Sequence, residues 1–363
     1  MEFAARSSPL PDLDTTSTSM RNKLQPPRET FEERRIRERA ELYTSEPQDD
    51  ADNRGRNANS PSEIPARGWL DVLKRTAKQI EGDHLPLVSA GVAFFFLLGL
   101  FPGLAAIISI YGWLADPSTV SVHIDKLSGV LPAQAAEIIH NQTEQLASGD
   151  AAASWGAILG VVLALWAGSK AMKGMVQALN IAYNQRESRG FIQKQAIYLA
   201  LTFSAVLVGL LSILLIAVAP AIVNFLPLPD WGRQALMWLR WPMLLLFGMT
   251  GIAAIYRYGP AREKGKWRWV SWGAGGATIL WLIASALFSL YVSSFGNFNE
   301  AYGSLGAVIV LMMWLYLTAF LILMGAELDA EMELQTQRDT TTGKEQPMGD
   351  RGAFTADHSA RHP

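Results

Sequence analysis

The chain has 363 residues, 50% hydrophobic and 18% charged, with a formal net charge of −2 that points to neither nucleic acid nor an acidic substrate. It contains no cysteine, which excludes disulfides, thiolate metal sites and a cysteine nucleophile. These averages hide a partition: 1–66 and 335–363 are rich in Arg, Glu, Asp, Ser, Thr and Pro, and the middle carries long charge-free stretches.

In chain order, residues 1–66 have few large apolar side chains and are expected to form a disordered tail, with an Arg- and Glu-rich stretch at 29–42 suited to a solvated helix. Nothing near Met1 has the short apolar segment and small-residue cleavage site of a secretory signal. At 68–82, Trp69, Leu70, Leu73, Ala77 and Ile80 share one helical face, with Lys74, Arg75 and Lys78 elsewhere. That pattern predicts an interfacial helix on a membrane surface or, equally, a soluble helix packed on the bundle.

Six charge-free runs follow, at 85–115, 151–169, 195–229, 241–256, 269–299 and 301–326. A bilayer core requires about 20 apolar residues per helix. The fourth run reaches that length when extended back through Met237, with Arg240 snorkelling to the headgroups. The runs are continuously apolar and do not alternate, so they read as helices and not as barrel strands. Loop 116–150 is expected to carry short external helices, and 170–197 to continue the second span as an amphipathic helix. The predicted fold is all-α: a polytopic membrane bundle of six transmembrane helices at 67–334, with amphipathic or interfacial helices and disordered termini at 1–66 and 335–363.

Lys and Arg alternate between connections. They are abundant before the first span, in the second connection (Lys170, Lys173, Arg186, Arg189, Lys194) and in the fourth (Arg257, Arg262, Lys264, Lys266, Arg268), and scarce in the others. By the positive-inside rule both termini are expected to be cytoplasmic. Trp113, Trp155, Trp231, Trp238 and Trp241 fall at predicted outer ends, and Trp267 and Trp269 at an inner end, as an aromatic belt would.

The sequence offers no catalytic constellation. Its histidines lie outside the spans, and it has no phosphate-binding loop and no nucleophile elbow. No catalytic residue, cofactor or metal ligand is assigned. Four features remain. Gly156, Gly160, Ala164 and Gly168 form a small-residue stripe, foremost a helix-packing face. Pro102 and Gly103 interrupt the first run and predict a kink or break, a candidate hinge or cavity wall. The corner 295–304, with Asn297 and Tyr302, reads as a tight polar turn and as a candidate polar lining. Glu327 stands at the end of the last run, where the helix dipole disfavours an anion. Lys170, Lys173 or Arg257 is expected to pair with it.

Several segments, in order, resemble the YihY/BrkB family of bacterial inner-membrane proteins, once called ribonuclease BN-like. They are Ala90-Gly91-Val92-Ala93-Phe94-Phe95-Phe96 leading to Phe101-Pro102, then Ala178-Leu179-Asn180, then Tyr256-Arg257-Tyr258-Gly259-Pro260. Tyr302-Gly303-Ser304-Leu305-Gly306-Ala307-Val308, Trp314-Leu315-Tyr316 and Gly325-Ala326-Glu327-Leu328 complete the set. The resemblance covers about 68–334 and implies a six-helix bundle in the plasma membrane. The functional expectation is export or translocation of a lipid-like or amphipathic solute, or support of envelope integrity, with the lipid bilayer as partner. A scaffold recruiting partners through its tails is the alternative, and a membrane-bound ribonuclease ranks last. Nothing in the sequence specifies an oligomeric state.

Overall fold

The computed structural model describes residues 53–114, 151–213, 229–294 and 305–361, with 37, 42–46, 49, 215 and 223 in addition. Loop 116–150 and the corner holding Asn297 and Tyr302 lie outside the described residues. Two units are distinguished, 1–44 with 360–363, and 45–359. In the first, the Arg361 backbone N–H donates to Leu42 O at 3.2 Å and its Nε to Tyr43 O at 3.2 Å.

The second unit is a helical bundle. Its elements are α1 (Ala66–Gly82), α2 (Leu85–Leu114), α3 (Ala151–Ala182), α4 (Phe191–Ile213), α5 (Asp230–Tyr258), α6 (Trp267–Ser294) and α7 (Leu305–Glu333). Among the described residues α4, α5, α6 and α7 are each long and apolar enough to cross a membrane, and α1 with α2, taken as one bent span, makes a fifth. The 32-residue α3 carries the remaining apolar run. Large apolar side chains face outward along these helices, among them Phe203, Ile283, Leu287 and Leu290. In water such a surface would be an aggregation liability, whereas lipid solvates it. The protein is a polytopic helical membrane bundle. On α5, Trp231, Trp238 and Trp241 are exposed as a belt requires, but Trp269 is buried and packs with Val72 and Met332.

α2 runs through Pro102 and Gly103 as one helical element, so the chain is not split into half-helices there. One lost backbone hydrogen bond is tolerated within a packed membrane helix. The sharp bend lies between α1 and α2, which meet at 64°. There His84 adopts φ 52°, and its N–H reaches back to Glu81 O at 3.0 Å. α1 buries Gly68, Val72, Thr76 and Gln79 as one stripe and leaves Leu70 and Leu73 outward. It is therefore docked on the bundle and still carries an apolar outer face.

α3 ends in a Schellman turn. Asn184 takes φ 53°, its N–H donates to Ile181 O at 3.0 Å, and the Gln185 N–H donates to Asn180 O at 2.8 Å. Of the small-residue stripe, Gly168 stands where α2 and α4 approach α3: a Cβ on Gly99 would lie 3.3 Å from Gly168 N, and one on Gly168 would lie 3.0 Å from Thr202 Cγ2. Gly156, Gly160 and Ala164 lie on α3 with surroundings outside the described side chains.

The tightest helix crossing joins α6 and α7. A Cβ on Gly273 would stand 2.7 Å from Gly325 O, and one on Gly325 would stand 2.6 Å from both Ala277 Cβ and the Tyr256 hydroxyl. The Gly325→Ala variant should therefore lose about 1–3 kcal/mol of stability by overpacking. Gly209→Ala, with open space around it, should be close to neutral. Thermal unfolding of both variants in detergent checks the contrast.

Candidate functional site: a buried ionic network and two cavities

The last turns of α7 carry four acids, Glu327, Asp329, Glu331 and Glu333, and all are buried. Spaced by two, they fall on two opposite faces of the helix, Glu327 with Glu331 and Asp329 with Glu333, so this end of α7 is enclosed on both sides. Charges out of water require partners. Glu333 receives a bidentate pair from Arg262, Nη1 at 2.6 Å and Nη2 at 2.9 Å, with both side chains fully buried. Thr340 and Thr355 hydroxyls donate to the same carboxylate at 3.1 and 2.7 Å, and Thr355 Oγ1 also accepts from Arg262 Nη1 at 2.8 Å. Burial disfavours the guanidinium charge, but the Glu333 carboxylate outweighs it and holds the Arg262 pKa above its ordinary value.

Tyr183 links this pair to Asp329. Its hydroxyl donates to Asp329 Oδ2 at 2.8 Å, and the Arg262 guanidinium lies 4.0 Å from the centre of its ring. Burial, then the charge of Asp329, pushes the phenol well up, so it remains a donor. Asp329 can sit here because position 273 on α6 is glycine: a Cβ there would come within 2.6 Å of Asp329 Cβ. On the other side Arg75 of α1 donates to Glu331 Oε2 at 2.6 Å and to Gln335 Oε1 at 2.7 Å.

Residues 335–359, part of a tail expected to be disordered, instead fold onto this end. The Lys266 N–H donates to Thr340 O at 2.8 Å, the Thr342 N–H to Lys264 O at 2.9 Å, and the Glu263 N–H to Gly352 O at 3.1 Å. A short helix, α8 (Phe354–Asp357), brings Thr355 to the ion pair. Residues 53–65, assigned to the other tail, are also packed: Thr336 donates to Ala58 O at 2.7 Å, and Ile64 is buried. Polar composition suggested solvation, but here the polar groups satisfy one another around a buried charge.

Of the residues singled out from sequence, Arg257 is buried, donates to Gly265 O, and lies 4.8 Å from the Trp267 ring centre and 5.6 Å from that of Tyr258. Lys170 Nζ lies 5.3 Å from the Trp166 ring centre. Glu327 is fully buried, and the ion pairs that define α7's end lie one and two turns beyond it, at Glu331 and Glu333. Sequence reasoning passed over Glu333, Asp329 and Tyr183, and met Arg262 only as one cation of a basic connection and Asn180 only within a family segment. The signal that could have found them is four acids spaced by two after an apolar helix, opposite a short loop with five cations.

Two cavities lie outside the network. One, of about 780 Å³, lies among α4, α5, α6 and α7, with Leu245, Ile252, Trp281 and Leu282 in an apolar wall studded with Thr278, Ser285 and Thr318. The other, of about 750 Å³, lies between α3 and α4 and includes Trp166, Lys170, Lys173, Phe191 and Lys194.

The family model described as "Virulence factor BrkB" matches residues 76–349. The chain belongs to the BrkB family. Its similarity to the ribonuclease-like protein YfkH of Bacillus subtilis (strain 168) is 34% identity over 248 residues, 67% of this chain and 88% of that protein. A UPF0761 membrane protein of Tolumonas auensis is 25% identical over 259 residues, 70% of this chain and 83% of its own. One from Cronobacter sakazakii is 25% identical over 271 residues, 73% and 88% of the two chains. No solved structure matches.

In this BrkB-family bundle, segments far apart in sequence meet. Asn180, from Ala178-Leu179-Asn180, accepts from the Ala261 N–H at 2.8 Å, just past Tyr258-Gly259-Pro260. Gly259 lies so close that a Cβ would stand 2.8 Å from Leu179 Cδ1. The Tyr256 hydroxyl donates to Ile322 O on α7, next to Gly325-Ala326-Glu327-Leu328. Three of the segments that carry the family resemblance thus meet beside the buried network, at Asn180, at Tyr256–Gly259 and on α7 next to Gly325.

Breaking the Arg262–Glu333 pair should destabilise the BrkB-family protein by about 3–5 kcal/mol, because one charge remains buried alone. Arg262→Lys should not rescue it, since a lysine cannot make the bidentate contact. The double variant Arg262→Leu/Glu333→Leu should be milder than either single change. Thermal unfolding in detergent decides the order.

A second prediction concerns pH. Burial tends to raise the Glu187 pKa, but hydrogen bonds from Arg189 and Asn180 outweigh it and set the carboxylate below its ordinary 4.5. The folded value is depressed, so the clamp is fully present above the ordinary glutamate range and is lost as pH falls through the folded value. Hydrogen exchange at 185–190 should accelerate in that acid window and not above it. Glu187→Gln should show fast exchange at neutral pH.

Proposed function

We propose that this BrkB-family membrane protein accommodates a lipid-like or amphipathic solute within the bilayer and carries it across, supporting the integrity of the envelope. The reading is carried by the cavity among α4–α7. Its volume of about 780 Å³ suits a small amphiphile. Its wall is apolar, yet hydroxyls project into it, and Ser285 Oγ is buried with no hydrogen-bond partner among the described residues. A solute with an apolar body and a few polar groups matches that lining.

We place the protein in the bacterial inner membrane with both termini cytoplasmic, because the charged end gathers the basic connections after α3 and α5. A scaffold role is a second reading. It is favoured by the folding of 335–359 onto the charged end, which gives that end a defined surface. The ribonuclease-like name of the Bacillus relative is not extended to this chain. RNA cleavage needs an acid–base pair open to substrate, whereas Asp329 and Glu333 are wholly buried and engaged by Tyr183 and Arg262.

Full-length protein in liposomes should accelerate transbilayer movement of a fluorescent phospholipid, read by dithionite quenching. Gly248 lines the cavity, and a Cβ there would meet only Thr278 Cγ2, at 3.9 Å. Gly248→Leu should therefore fill the cavity without unfolding the bundle and return movement to the protein-free rate. Identical rates with protein, variant and empty liposomes would overturn the reading.

A further inference from the structure

The cleft between α3 and α4 is distinct from the α4–α7 cavity and has opposite chemistry. α3 contributes Trp166, Lys170 and Lys173, spaced four and three apart on one face, and α4 contributes Phe191, Lys194 and Tyr198 at three and four. Three ammonium groups therefore line one recess of about 750 Å³. The cleft's single carboxylate is Glu187, and it is already neutralised by Arg189 at 2.7 Å and bonded by Asn180 at 3.0 Å. None of the three lysines has a carboxylate partner among the described residues. Lys170 rests over the Trp166 ring, and Gln195 Nε2 ties α4 to α3 by donating to Ser169 Oγ at 3.1 Å.

Three like charges lining one recess repel one another, and an anion bound among them relieves that repulsion. The other wall says what kind. Val162, Leu165, Trp166 and Leu199 continue from the cleft along the apolar parts of α3 and α4, and Trp166 is 56% exposed. A free phosphate would satisfy the lysines and leave that wall uncovered. A phospholipid satisfies both, with its head at the lysines and a chain along the wall.

We propose that this cleft is a binding site for a net-anionic phospholipid, its phosphate held by Lys170, Lys173 and Lys194 and an acyl chain lying against Leu165, Trp166 and Leu199. The site is independent of the transport reading, since it requires only that the lipid bind.

The test is native mass spectrometry of the detergent-solubilised full-length protein, titrated separately with dioleoylphosphatidylglycerol and dioleoylphosphatidylcholine. The anionic lipid should bind about tenfold tighter or more, and each Lys→Gln change at 170, 173 or 194 should weaken it about fivefold. Lys74→Gln/Lys78→Gln, which removes two exposed cations from α1, should leave binding unchanged. Trp166→Ala should weaken the lipid but not inorganic phosphate. Circular dichroism should show the triple lysine variant folded, since those side chains hold no ion pair. Equal binding of the two lipids would overturn the proposal. So would a loss on Lys74→Gln/Lys78→Gln matching that of the triple variant, which would make the attraction a diffuse surface charge. Full displacement by inorganic phosphate with no effect of Trp166→Ala would also overturn it, in favour of a soluble anion. A failed liposome assay with intact lipid selectivity leaves the cleft standing and removes only the transport reading.

Discussion

The buried contact between Arg262 and Glu333 organises the charged end of the bundle. Removing two full charges from water is expensive, and such a pair persists only when its geometry is good and its remaining hydrogen-bonding capacity is filled. Here the guanidinium is bidentate, two threonine hydroxyls complete the carboxylate, and a tyrosine ring covers the cation. Those partners come from four separate parts of the chain: the α5–α6 loop, the end of α7, the end of α3 and the segment after α7. A requirement to satisfy one ion pair therefore adds to the shared apolar core, in which Tyr183, Tyr256, Val270 and Ala330 pack together, and fixes the relative placement of these elements.

The bundle consequently has two regimes. Through its middle, packing depends on small residues and shape, and the polar groups lining the α4–α7 cavity are hydroxyls, not charges. At one end, acids and arginines are enclosed and paired. The lysines of the α3–α4 cleft belong to neither regime, being cationic, accessible and bordered by an apolar wall. An amphipathic solute suits the first region and an anionic headgroup suits the third, while the second holds the frame.

Helices and spans were legible in the sequence because lipid imposes a simple rule: a long charge-free run must be a helix. The packed segment at 335–359 was not, because nothing in its composition separates a solvated polar tail from one whose hydroxyls and amides bond inward. Arg262 was visible only as one cation among several in a loop, and its role depends on Glu333, 71 residues later. Pro102 lies inside one continuous helical element, and the 64° bend between α1 and α2 falls at His84, an ordinary residue in a left-handed conformation that no residue type announces. The Gly156–Gly168 stripe drew attention to α3, whereas among the described residues a very close helix approach uses Gly273 and Gly325, the first inside the small-residue cluster Gly273-Ala274-Gly275-Gly276-Ala277 and the second with no such repeat around it.

That approach limits how the bundle can move. At Gly273 and Gly325 the backbones of α6 and α7 touch directly, with Ala277 Cβ and the Tyr256 hydroxyl filling the remaining space. Sliding α7 by one residue would bring the side chain of Met324 or Ala326 against a backbone with no room for it. The two helices can pivot about this point but cannot ratchet past one another. The pair is a fixed reference within the bundle, against which the remaining helices are set.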